Sequence, residues 1–253
     1  MQISGTTALV TGAASGLGAA TAAELAGQGA TVIGLDLAAA LASAPEAPEG
    51  VTLVEADVTR EDDVRRALDR GATPEAPLRV VVNCAGIAPS RRIVGRDGVH
   101  DLELFTRVIS VNLIGTFNVM RLAAEAMSRL DPDDAGQRGV VINTASVAAF
   151  EGQVGQIAYS ASKGGVAAMT ITAARDLAQL GIRVNTIAPG IVDTPMLATI
   201  SAEFRAGLSA GVPFPKRLAT PSEYASLASM IIAHDYLNGE TIRMDGALRM
   251  APR

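Results

Sequence analysis

Residues 6–18 read TTALVTGAASGLG, and the fold follows from them. The first six are apolar or β-branched, enough for one short buried strand. Gly12, Gly16 and Gly18 then break the run, and an Ala-rich stretch suited to a helix continues to about Gln28. Glycines permit a tight turn and let a ligand approach the backbone closely. The helix start offers unpaired N–H groups and the positive end of a dipole, which suits a phosphate. A tight turn with no ligand uses the same residues, so the motif draws its weight from its surroundings.

The next strand-like run, TVIGLD, ends at Asp36, eighteen residues past Gly18. A dinucleotide fold places a carboxylate there, on the adenosine ribose hydroxyls. A carboxylate would repel a 2′-phosphate, and no Arg or Lys stands at Ala13, Ala14, Leu37 or Ala38 to attract one. Asp36 therefore points to NAD rather than NADP, with a plain helix cap as the alternative. Further strands follow in VTLVEAD, which ends at Asp57-Val58, and in LRVVVN, which runs into Asn83-Cys84-Ala85-Gly86. GVVINTAS delivers Ser146 at its end; IRVNTIAPG and GETIRMDG complete about seven strands.

Helical stretches separate the strands. Residues 38–50 offer only a short helix or a loop, and Glu61-Asp62-Asp63 suit a helix start. One long helix is expected over 101–130, one from near Tyr159 to Leu180, and one over 221–233. Alternating strands and helices predict an α/β protein: one domain over 1–253, a doubly wound parallel sheet with helices on both faces. Residues 196–218 are expected to form a mobile substrate lid closed by PFPKRL.

Composition agrees. Of 253 residues, 49% are hydrophobic with few aromatics, which suits a buried parallel sheet under Ala-rich helices. A net charge of -5 argues against a nucleic-acid surface. The single cysteine, Cys84, excludes a disulfide framework and reads as a small buried side chain. His100 and His234 lie far apart, so metal chemistry is not expected. No apolar run reaches membrane-spanning length, and no signal-like segment precedes the first strand. A soluble cytoplasmic protein is the expectation.

The chemistry lies in residues 146–163, SVAAFEGQVGQIAYSASK. Tyr159 and Lys163 are one turn apart and share a helix face. A phenol with a pKa of about 10 is a poor base near neutrality, and a nearby ammonium lowers that pKa. Ser146 is placed to bind the oxygen whose proton moves, so the three could transfer a proton on or off an alcohol. A surface amphipathic pair is the ordinary alternative for Tyr159 and Lys163. Asn112, in an apolar stripe, either ties helix to sheet or holds a water in a proton path. Asp57 either bonds the adenine amine or caps a helix. Arg91, Arg92 and Arg96, in the polar loop 88–100, read first as a solvated face and second as a contact for a phosphate-bearing substrate. Ala161, Gly164, Gly165, Ala167 and Ala168 would let another helix approach closely, which hints at a subunit contact.

TGAASGLG, Asp57, NCAG, Asn112, Ser146 and YSASK, in this order, make the chain resemble the short-chain dehydrogenase/reductase family, a Rossmann-type fold. The resemblance covers essentially the whole chain. GVVINTASVAAFEGQVGQIAYSASKGG, TIAPGIVDTP, VPFPKRL and LNGETIRMDGALRM look most like members acting on 3-hydroxyacyl-CoA thioesters. It implies reversible oxidation of the 3-hydroxyl to a ketone with NAD. By motif, Tyr159 would be the general base, and Lys163 would lower its pKa and hold the nicotinamide ribose. Ser146 would orient the substrate oxygen, and Asn112 would maintain a water relay. Gly12, Ser15, Gly16, Leu17 and Gly18 would line the pyrophosphate, Asp36 and Leu37 the ribose, and Asp57 and Val58 the adenine. Asn83, Cys84, Ala85 and Gly86 would line the next stretch, and Pro189, Gly190, Val192 and Thr194 the nicotinamide end. The family is commonly homotetrameric; no nucleic-acid or membrane partner is implied. Two other readings are a 3-oxoacyl-carrier-protein reductase or hydroxysteroid or other secondary alcohol dehydrogenase, and a non-catalytic NAD-binding scaffold. Asp36 argues against an NADPH-dependent reductase, and the intact Ser146, Tyr159 and Lys163 against a scaffold. Residues 38–50 and 65–78 look trimmed against the family, which bears on the adenine side.

Overall fold

The computed structural model describes residues 1–71, 73, 75–96, 98–197 and 201–252. Apolar runs buried on both faces form β1 (Thr7–Thr11), β2 (Thr31–Asp36) and β4 (Leu78–Asn83), and the half-exposed β3 (Val51–Glu55) lies at the sheet's edge. After a two-stranded hairpin, β5 (Val94–Gly95) and β6 (Gly98–Val99), come β7 (Gly139–Thr144), β8 (Ile182–Pro189) and β9 (Thr241–Met244). The seven long-sheet strands run in the order β3-β2-β1-β4-β7-β8-β9, every neighbour parallel. The chain winds outward from β1 to β3, then returns to β4 and winds the other way. The switch point therefore lies between β1 and β4, where such sheets bind ligands. The register levels Leu35, Thr11, Asn83 and Asn143, so the loops beyond them gather at one edge.

Alternation along the strands supplies two cores. Ala8, Val10, Val80, Val82 and Ile142 face α1 (Gly16–Gly27) and α8 (Pro221–Ala233), which pack together on one side. Leu9, Val81, Val141 and Val184 face the other side, covered by α3 (Glu61–Gly71), α5 (Thr116–Ser128) and α6 (Ile157–Leu177). Between β2 and β3 stands only the four-residue α2 (Ala38–Leu41). Among the described residues no helix is long and apolar enough to cross a membrane.

The expected long helical run over 101–130 is present over Leu102–Ser128, with a π turn inside it. α4 (Leu102–Ile109) and α5 are joined through a π turn, Ser110–Gly115, with Asn112 inside it. Thr116 Oγ1 donates to the Asn112 carbonyl at 2.7 Å, back-bonding of a kind that loosens a helical ladder. Gly115 passes so near Val58 that a Cβ there would sit 2.6 Å from its Cγ2. The small-residue stripe of α6 is also partly used within the chain: a Cβ at Gly165 would fall 2.8 Å from Leu113. Ala161, Gly164 and Ala168 remain on the outward side. The loop 88–100 contains the hairpin, which polar composition gave no means to see. Of the expected lid, 198–200 lie outside the described residues, and α7 (Ala202–Ala210) occupies its middle.

Arg183 of β8 is buried, and its guanidinium binds the far end of α8. Nε donates to Gln137 Oε1 at 2.7 Å, Nη1 to the carbonyls of Ile231 and Leu237 at 3.1 and 2.9 Å, and Nη2 to that of Ile232 at 2.7 Å. The positive charge thus meets the negative end of the helix and its unpaired carbonyls. Arg183→Met removes the donors and leaves buried carbonyls unpaired, at about 3 kcal/mol. A fall of about 6–12 °C in Tm is expected from that figure; a Tm within about 2 °C of the parent would mean that Arg183 does not hold α8.

Candidate active site

The glycine turn is built against the end of β4. Gly12 has a φ of 68°, and a Cβ there would lie 2.9 Å from the Ala85 nitrogen. Thr11 Oγ1 accepts N–H bonds from Cys84 and Ala85, both at 3.1 Å, so the two strand ends are tied side by side. Any side chain at Gly18 would overlap the Gly12 carbonyl. At the start of α1, Ser15 makes no side-chain cap and the first turn carries no acidic residue, which leaves its N–H groups unclaimed by side chains. Asp36 accepts from Ala14 N through Oδ2 and from Leu37 N through Oδ1, both at 2.9 Å. Asp57 Oδ1 accepts from the Thr59 amide and hydroxyl at 2.9 and 2.7 Å, so its carboxylate caps the turn after β3.

The other end of the site hangs on Thr144, the last residue of β7. Its carbonyl accepts from Lys163 Nζ at 2.7 Å. Its hydroxyl donates to the Asn83 carbonyl at 2.6 Å and shares a 2.7 Å bond with the buried Tyr224 hydroxyl. Lys163 is only 4% exposed, and burial brings its pKa down to about 8. Its Nζ lies 5.8 Å from the centre of the Tyr159 ring. Burial raises the Tyr159 phenol, and hydrogen bonding with Ser146 pulls it partway back. The helix spacing alone predicts that Lys163 lowers that phenol; in this site burial is the larger effect and the phenol is raised.

Asn112 is fully buried and does not reach the cavity. Its Oδ1 accepts from Ile87 N at 2.8 Å, and its Nδ2 donates to the Ile87 carbonyl at 2.9 Å and to Ser162 Oγ at 3.0 Å. Ser162 Oγ donates in turn to the Tyr159 carbonyl at 2.7 Å. The amide therefore ties the π turn to the strand end and to α6. Gly86 leaves a polar gap beside it: a Cβ there would lie 3.2 Å from Asn112 Oδ1 and 3.6 Å from Lys163 Nζ.

A single cavity of about 470 Å³ joins the two ends. Gly12, Ser15, Gly16, Leu17, Gly18, Asp36, Leu37, Asp57 and Val58 line it on the β1–β3 side. Cys84, Ala85, Gly86, Ser146, Tyr159 and Lys163, then Pro189, Gly190, Val192 and Thr194, line the rest. Of the site residues expected from sequence, only Asn83 and Asn112 stand behind the wall. Asn83 faces its neighbour instead, donating from Nδ2 to Asn143 Oδ1 at 2.9 Å. Cys84 shows its backbone side to the cavity while its buried thiol points to Tyr224 at 3.7 Å, its pKa raised by burial. Thr11, Thr144, Ser162 and Tyr224 escape a reading of the sequence. Thr144 and Ser162 sit inside the motifs quoted, but nothing in a linear pattern says which hydroxyl meets which carbonyl.

The family model described as short chain dehydrogenase matches residues 6–204. The chain belongs to the short-chain dehydrogenase family. The 3-hydroxyacyl-CoA dehydrogenase type-2 of Bos taurus is 54% identical over 255 residues, covering 99% of this chain and 98% of that protein. The Homo sapiens protein of the same name is 52% identical with the same coverage. A solved structure, 3-hydroxyacyl-CoA dehydrogenase type-2 from Mycobacterium avium, superposes with a TM-score of 0.92 at 44% identity over 98% of both chains. As a short-chain dehydrogenase the protein is an oxidoreductase, and the family implies a nicotinamide cofactor. The residues fit one: the uncapped start of α1 leaves its first N–H groups unclaimed by side chains, at a cavity that Gly12, Gly16 and Gly18 line.

The depressed Lys163 pKa has a measurable sign. Its folded value of about 8 lies below the ordinary 10.5. Between those pH values the unfolded chain binds more protons, so this residue's contribution to stability rises with pH through that window. The Tm of the parent minus that of Lys163→Met is expected to grow between about pH 7.5 and 10. A difference that stays flat would place the lysine pKa near its ordinary value.

Proposed function

We propose that this protein is an NAD-dependent dehydrogenase that interconverts 3-hydroxyacyl-CoA and 3-oxoacyl-CoA thioesters. The observation that carries the reading is one cavity with a nucleotide cradle and Asp36 at one end and Ser146, Tyr159 and Lys163 at the other. The substrate class rests on the relatives named above, and the cofactor on Asp36. That carboxylate already anchors Ala14 and Leu37 at the cavity wall. Ribose hydroxyls can donate to it, whereas a 2′-phosphate would meet like charge.

The surroundings of each residue support its role in this reading. Bound NAD supplies the hydride acceptor and, reduced, the donor. Ser146 orients the substrate oxygen, and Tyr159 takes the alcohol proton in oxidation and returns it in reduction. A phenol raised by burial is protonated at neutral pH, as a donor to a ketone oxygen must be. Lys163, with a pKa of about 8, exchanges protons readily in the same range. Asn112 works as a positioning residue, holding Ile87 and Ser162 so that Gly86 and Tyr159 flank the lysine. The loop 88–100 suits the CoA phosphates. Arg91 N is pinned to the Gly155 carbonyl at 2.8 Å, next to Gln156 on the cavity wall, and Arg92 and Arg96 are exposed beyond it. A homotetramer is part of the same reading, supported by the outward stripe of α6 and by exposed Ile114, Phe117 and Ile171.

Tyr159→Phe tests the chemistry. Acetoacetyl-CoA reduction with NADH should fall by about 10²–10⁴-fold while NADH binding, read by fluorescence, stays near the parent value. Retained turnover would remove Tyr159 from the reaction. The parent should favour NADH over NADPH, and Asp36→Ala should narrow that preference at least about tenfold. Equal use of both cofactors by the parent would remove Asp36 as the discriminating group.

A further inference from the structure

Beyond β9 the chain turns back over the active site. Gly246 and Ala247 both adopt positive φ, 59° and 67°, so the backbone reverses sharply after the strand. Residues 248–252 then run along the loop 150–156. Gln153 Nε2 donates to the Ala251 carbonyl and Val154 N to the Pro252 carbonyl, both at 3.0 Å. One carboxylate organises the crossing. Glu151 accepts from Arg243 Nη1 at 3.0 Å and Nη2 at 3.2 Å, and from the Met250 amide at 3.0 Å, and it pairs with Arg249 Nε at 3.3 Å. Asp245 holds the same two arginines from the other side, at 2.7 Å from Arg243 Nε and 3.0 Å from Arg249 Nη1. Arg243 also lies over the Phe150 ring, 5.5 Å from its centre. These partners keep Glu151 ionised, its carboxyl held below the usual range chiefly by Arg243.

The strap puts one apolar side chain into the site. Met250 lines the same cavity as Ser146, Gln156, Tyr159, Ile191 and Leu197, and its amide is held by Glu151. An oxygen held by Ser146 and Tyr159 leaves the acyl chain to run toward this wall. We propose that residues 248–252 are the wall that sets which acyl chains are accepted, with Met250 the specificity residue and Glu151 the residue that positions it. The inference rests on the acyl-CoA reading above. Methionine is unbranched and adapts to irregular space, so it admits a range of chains and limits their length. The ion pairs are only partly buried, with Arg243 and Glu151 each 23% exposed at the side chain, so the strap is anchored without being sealed into the core.

The experiment compares kcat/KM for acetoacetyl-CoA and 3-oxooctanoyl-CoA with NADH, on the full chain. Met250→Ala should raise the ratio of the longer to the shorter substrate about fivefold, and Met250→Phe should lower it. Glu151→Gln should shift it in the same direction as Met250→Ala, mainly through KM for the longer chain, and should add nothing in the Met250→Ala background. NADH binding within about twofold of the parent marks an intact fold. Ratios within about twofold of the parent in both Met250 variants, with NADH still bound, overturn the strap's role. A Glu151→Gln effect that persists in the Met250→Ala background overturns the positioning role. A parent that turns over neither thioester overturns the acyl-CoA reading itself, and the strap's substrate with it.

Discussion

The hydrogen bond from the Lys163 ammonium to the carbonyl of Thr144 ties α6 to the end of β7. Among the contacts of Lys163 it is the one that joins helix to strand. Next to it stands a second polar tie between α6 and the end of β7, the hydrogen bonding of Tyr159 with Ser146. The peptide that accepts this bond belongs to a residue whose hydroxyl binds the Asn83 carbonyl and Tyr224. The position of the lysine is therefore set by β4, β7 and α8 together. An ammonium this deeply buried is expensive with one neutral acceptor, which is why its pKa falls toward the working range rather than the helix moving outward.

The amide of Asn112 repeats the device one layer further back. A side-chain amide that both accepts from and donates to the backbone of Ile87 imitates one more rung of strand pairing. It does so from a helix, and the π turn provides the geometry. The segment after β4 is thus fixed without a neighbouring strand, and Gly86 is kept beside Lys163. Tight packing at Gly12, Gly18, Gly86 and Gly115 comes from the same demand. The strand ends and the helices must converge within a few ångströms of each other and still leave a cavity.

What the sequence disclosed and what it withheld divide along a physical line. Strands with two buried faces write themselves as unbroken apolar runs, so TALVT, LRVVVN and GVVINT could be placed and their parallel order inferred. Ser146, Tyr159 and Lys163 were legible because their spacing is local to one strand end and one helix face. The same logic failed wherever a contact joins distant positions through the backbone. Thr144 meets Lys163 through a carbonyl, which every residue has. Asn112 was visible as a polar residue in an apolar stripe, yet its partner, Ile87, has no side-chain signal. Glu151 lies more than ninety positions from Arg243 and Arg249, and no local pattern links them. The hairpin in 88–100 pairs only two residues a side, Val94–Gly95 with Gly98–Val99, too short a pattern to read as strands.

Burial acts on the two titrating groups in opposite directions, and this bears on how the site handles a proton. Desolvation disfavours whichever form is charged, so it raises a phenol and lowers an ammonium. Ordinary values put tyrosine at 10.0 and lysine at 10.5, with the phenol the slightly stronger acid. In the site the order is reversed: Lys163 sits at about 8 and Tyr159 lies above its ordinary value. The lysine therefore releases its proton first, and the phenol stays protonated where the ammonium is already titrating. The two shifts share one cause, burial beside the end of β7.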